Sequence, residues 1–163
     1  MNYPKLFEAQ RKLDDHIITE KNLQGQDLFH NKIEALLCEI QECANETRCF
    51  KHWSNKEANM ENALEEAADS FHFILSIGND LNIKPEDVEK QKARIYEDLT
   101  LQFIILTYTV TCMAIFNDKI RYYFEAISIF KGLMCSLKFT ENQLEEAYYK
   151  KNKVNYERQA SNY

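Results

Sequence analysis

Glycine and proline are nearly missing from this 163-residue chain, at 3 and 2 residues, against usual shares of about 7% and 5%. β-Sandwiches and doubly wound α/β folds consume turn residues at many positions, so both are excluded. Gly25, Gly78 and Gly132 are isolated from one another, which excludes a glycine-rich phosphate loop. An excess of positive charge is missing too. The net charge is −6, whereas a broad nucleic-acid footprint needs a basic face. The five cysteines, Cys38, Cys43, Cys49, Cys112 and Cys135, contain no C-x-x-C pair. With no signal peptide at the start of the sequence, they read as reduced thiols of a cytoplasmic protein, in a bacterial or a phage-infected cell. The stretch from Leu101 to Phe116 is apolar but holds Gln102 and three threonines, and it is shorter than the about 20 residues of a membrane span. It reads as a helix covered on most sides, by the core or by a second subunit.

What is present is helical periodicity in a globular composition, 45% hydrophobic and 28% charged, and the length suits one domain over residues 1–163. The spacing of apolar residues predicts about six helices. The first runs from about Lys5 to Glu20 and the second from about Asp27, as N-cap, to Cys49. A third covers about Met60 to Asp80. A fourth starts near Lys84-Pro85 and leads into the apolar stretch. The fifth covers about Lys119 to Ser136. Thr140 and Gln143 form a capping box for the sixth, Glu141 to about Arg158. The expected fold class is all-α.

Two acidic pairs stand out by placement. Glu39 and Glu42 lie three residues apart on the second helix, and Glu66 and Asp69 lie three apart on the third, so each pair shares a helix face. Both pairs sit beside apolar stripes rather than opposite them. If the two helices pack antiparallel through those stripes, four carboxylates converge at the rim of the contact. Like charges that close need a cation or a proton. Oxygen donors select a hard divalent ion such as Mg²⁺. The alternative is a solvated acidic rim.

E-x-x-E on one helix and E-x-x-D on the next resembles the all-α nucleoside triphosphate pyrophosphatases, which include the MazG-like enzymes and the dimeric dUTPases. Further segments resemble the dimeric dUTPases: Gln10-x-x-Leu13-Asp14, the loop from Ala44 to Lys56 (ANETRCFKHWSNK), Asp69-x-x-His72-Phe73, and Tyr149-x-Lys151-Asn152-x-x-Asn155-x-x-Arg158-Gln159-x-x-x-Tyr163. Together they span residues 10 to 163. The chain departs from that family at Asn162, where Gly usually precedes the final Tyr, and at Asp14, where some members have Asn. Residues from about 95 to 137 match none of these motifs, which leaves them open to dimer contacts.

The resemblance implies a four-helix-type core, a homodimer, and hydrolysis of dUTP to dUMP and pyrophosphate. It implies two or more Mg²⁺ ions held by Glu39, Glu42, Glu66 and Asp69, with Glu39 also taking the proton of the attacking water. Lys151, Asn155 and Arg158 share one helical face and would clamp phosphates, as Lys56 would from the loop. The other reading of that face is a solvated basic helix end. Phe73 would stack on uracil, His72 would bond the 3′-hydroxyl, Gln10 would read the O4/N3 edge, and Trp53 would close the pocket. Gln10 does not separate dUTP from dCTP, because an amide can flip. A pyrophosphatase for dCTP or other non-standard nucleotides therefore stays open, as does a non-catalytic helical interaction protein. Phage-borne members also bind repressor proteins. The segment beyond Lys150 carries clustered positive charge and little apolar surface, so it is expected to order only against bound triphosphate.

Overall fold

A computed structural model of the protein describes residues 1–160, and its secondary structure there is entirely helical. Seven helices are found among these residues: α1 Tyr3–Glu20, α2 Phe29–Thr47, α3 Met60–Asp80, α4 Pro85–Glu89, α5 Leu99–Ile115, α6 Lys119–Ser136 and α7 Glu141–Ala160. The extra helix corrects the expected six. Pro85 does open a helix, but only of five residues, and the apolar helix restarts at Leu99 behind Asp98, whose side chain accepts from the Leu101 N–H at 2.8 Å. The segment between them is held by tertiary contacts. Fully buried Gln102 accepts from the Tyr96 N–H at 2.8 Å and donates to the Arg94 and Ile129 carbonyls at 2.9 and 2.7 Å. Gly132 is required beneath it, because a Cβ there would overlap the Arg94 carbonyl.

Local chemistry sets the other boundaries. Asn2 caps α1, accepting from the Lys5 N–H at 3.2 Å, and Pro4 fills its first turn, so the helix begins at Tyr3. Asp27 accepts from the Phe29 N–H at 3.0 Å, although Leu28 takes the cap position itself. Arg48 turns left-handed, with φ of 57°, and ends α2 two residues before Cys49. Thr140 and Gln143 form the expected box, with the Thr140 N–H donating to Gln143 Oε1 at 2.9 Å and the Gln143 N–H donating to Thr140 Oγ1 at 3.2 Å.

α3 is the central element, packed on α1, α2 and α7. Cys43 bonds the Ala63 carbonyl at one end of the α2–α3 contact, and Lys32 pairs with Asp80 at the other, so α2 and α3 run antiparallel. α5 and α6 form a hairpin against α2. One contiguous apolar core threads all of these layers, from Leu6 and Phe71 to Phe130 and Tyr148. No helix is long and apolar enough to cross a membrane among the described residues. All five cysteines are free thiols.

Two regions bear on function. The outer face of α5 leaves Ile104 57%, Tyr108 64% and Ile115 68% exposed. α7, by contrast, is anchored. Tyr148 is fully buried, and Lys150 and Lys151 pair with Glu65 and Asp69 at 2.8 and 2.6 Å. At the start of the segment expected to order only with nucleotide, α3 carboxylates thus already supply counter-charge to Lys150 and Lys151. Asn162 and Tyr163, the end of the C-terminal motif, lie outside the described residues.

Candidate active site

The antiparallel α2–α3 contact brings Glu39, Glu42 and Glu66 together, with one carboxylate oxygen of each within 4.8 Å of the others. Asp69, one turn beyond Glu66, lies beside them and is engaged by Lys151. Burial first, then repulsion from Asp69, Glu42 and Glu66, pushes the Glu39 carboxyl up to about 7, with Lys151 pulling the other way. Burial likewise raises Glu66 and Asp69. In the folded chain Glu39, Glu66 and Asp69 resist ionising together, chiefly because they are removed from water and also because they face one another. All-oxygen donors at this spacing fit a hard divalent ion.

Next to the carboxylates lies a cleft of about 590 Å³, walled by α1, α2, α3 and α7. Of the sequence-derived residues, Gln10, Glu39, Asp69, His72, Phe73, Asn155 and Arg158 line it. Lys151 meets it through Asp69. Trp53 and Lys56 do not line it. Trp53 is 66% exposed, edge-on to His52 and Phe50 in the loop between α2 and α3, and the Lys56 carbonyl accepts from Arg48 Nε at 3.1 Å. His72 and Gln10 are more enclosed than surface ligands would be. His72 Nδ1 lies 2.8 Å from Gln10 Oε1 and its Nε2 3.2 Å from the Tyr148 carbonyl, with the ring stacked on Tyr148. Gln10 Nε2 donates to Asp14 Oδ1 at 2.8 Å, and Ser76 Oγ donates to Asp14 Oδ2 at 2.7 Å.

Sequence reasoning passed over Ser76, Asn31 and Lys32, which also line the cleft. Helix periodicity offered a signal for two of them. Ser76 is seven residues beyond Asp69 on α3, and Lys32 is seven before Glu39 on α2, so each continues a face already singled out.

The chain matches the dUTPase family over residues 2–163. It belongs to the dUTPase family. No curated protein matches it. The protein is a dUTP diphosphatase and hydrolyses dUTP. Family and geometry meet in the cleft, where a half-buried acidic cluster adjoins a cavity with both an aromatic wall and cationic residues.

The buried histidine of this dUTPase makes a prediction about acid stability. Burial lowers the His72 pKa from 6.5 to about 4. As pH falls, the unfolded chain takes up this proton first. The neutral ring's contribution is thus complete above about pH 6.5 and is lost down to about pH 4, roughly 3 kcal/mol in all. Asp14, Glu39, Glu66 and Asp69 have raised values and titrate in the opposite sense, so the measurement is a comparison. Denaturant unfolding of wild type and His72→Gln between pH 7 and pH 4 should show the stability gap narrowing by that amount. Parallel pH profiles would contradict a neutral buried ring.

Proposed function

We propose that this dUTPase is Mg²⁺-dependent, with Glu39, Glu42, Glu66 and Asp69 holding two or more ions, and that it works in the cytoplasm as a homodimer of single-domain chains. The carboxylate cluster carries this reading, because three acids with oxygens within 4.8 Å of one another call for a cation or a shared proton between them. When bound, the ions would offset triphosphate charge and lower the pKa of the attacking water, so that it can give up a proton and act as a nucleophile. Glu39, half-buried and lining the cleft beside the other acids, accepts that water's proton on an Oε atom. Asn155, Arg158 and Lys151 orient the phosphates from α7, Arg158 as a two-pronged donor. Phe73 stacks on uracil, Gln10 faces its polar edge, and His72 backs the sugar.

The α2–α3 loop would deliver Trp53 and Lys56 to the nucleotide only through its own movement or from a second subunit. Support for a dimer comes from α5, whose exposed Ile104 and Tyr108 border a largely apolar groove of about 460 Å³ with Phe103, Cys49 and Phe50. Pyrophosphate release from dUTP, dCTP, dTTP and dATP, with and without Mg²⁺, tests the reading. Release from dUTP alone and only with the metal is expected. Undiminished turnover after metal removal would sink the metal assignment.

A further inference from the structure

Lys151 Nζ lies 2.6 Å from Asp69 Oδ2, and both side chains are only 17% exposed. One residue earlier, Lys150 pairs with Glu65 at 2.8 Å, but with side chains 68% and 36% exposed. Both lysines project from α7 and both acids from α3, yet only Asp69 lines the cleft. Asp69 is also the one member of the four-acid motif outside the trio whose oxygens converge.

We propose that Lys151 is a positioning residue that occupies Asp69 while the cleft is empty and releases it to the cation when a triphosphate draws the ammonium away. The proposal rests on the metal reading above. Its logic is competition for one carboxylate. An ammonium and a divalent ion both drawn to Asp69 repel each other, and strongly where water is scarce, so each weakens the other's hold. The Lys151 ammonium, 2.6 Å from Asp69, also sets a positive charge beside the acidic cluster and offsets part of its field. Metal arriving alone therefore meets a site partly neutralised by the protein itself. A triphosphate changes the balance. It offers the ammonium oxygens of higher charge, on the wall where Asn155 and Arg158 of the same helix already face the cleft. Asp69 is then free to join the other three acids. Part of the mutual strengthening between metal and nucleotide passes through this exchange, and linkage makes that part reciprocal.

Calorimetric titration of the full chain with Mg²⁺ alone tests the exchange, with helix content checked by circular dichroism. Lys151→Gln should bind Mg²⁺ at least about tenfold more tightly than wild type, while Lys151→Arg and Lys150→Gln stay within about twofold. A dUTP analogue with nitrogen bridging the α and β phosphorus should strengthen Mg²⁺ binding less in Lys151→Gln than in wild type. Equal Mg²⁺ affinity in wild type and Lys151→Gln would overturn the exchange. Equal tightening in Lys150→Gln would do the same, by reducing the effect to net charge. Glu42→Gln separates this failure from failure of the metal site. If it abolishes Mg²⁺ binding while Lys151→Gln changes nothing, the site stands and the exchange falls. If it binds Mg²⁺ as wild type does, both fall.

Discussion

Glu42→Gln is expected to lower dUTP turnover by at least about 100-fold, with helix content unchanged. Glutamine keeps the volume and loses the charge that makes Glu42 a ligand. Glu42 is also the exposed member of the converging trio, so the substitution removes no core packing. Its effect therefore isolates the electrostatic role: fewer negative oxygens to hold a cation, hence less positive charge set against the triphosphate. Steady-state kinetics over a Mg²⁺ series would show it. Recovery of most of the activity at saturating Mg²⁺ would mean that Glu42 only tunes affinity, and the four-acid site would have to be redrawn around other residues.

Ile104→Asp is expected to split the proposed dimer, weakening association by at least about 100-fold. Ile104 stands at the edge of the apolar groove with Tyr108 four residues on and Ile115 two turns further along α5. A carboxylate placed between two such faces is desolvated without a partner. At 57% exposure in the single chain, the same carboxylate is hydrated and leaves the monomer's fold alone. Sedimentation at micromolar concentration should show a dimer for wild type and a monomer for the variant. A wild-type monomer would refute the interface.

How far these features were legible from residues alone depends on how local their causes are. α3 has the boundaries its periodicity predicts, because Asn59 caps it through the Asn62 N–H and its apolar stripe is unbroken. The capping box of α7 is as local. The gap between α4 and α5 has no such sign. No Gly or Pro marks residues 90–98, and what keeps them extended is Gln102 and the Arg94 N–H bond to the Ser128 carbonyl, contacts supplied by α5 and α6. The same divide runs through the site. The acidic pairs could be read from a three-residue spacing. The Asp14 bond to Ser76 could not, since 62 positions separate the two. Nor does spacing tell that Trp53 and Lys56 stand away from the cleft, because the course of their loop is set by Arg48 bonding Ser54 and the Lys56 carbonyl.

α7 reaches back across almost the whole molecule, with the Tyr148 hydroxyl near the Leu6 carbonyl 142 positions away and the Tyr148 carbonyl over His72. Assembly during synthesis is therefore uneven in time. α2 and α3 can pair as soon as both have left the ribosome, gathering Glu39, Glu42 and Glu66 early. At about 5–20 residues per second, the remaining helices follow over several seconds. Throughout that interval the nascent protein displays an acidic cluster with no ammonium beside Asp69 and no tyrosine covering His72. On the proposed metal reading, such a chain would attract divalent ions before it could grip a nucleotide, and catalysis would await the docking of the last helix.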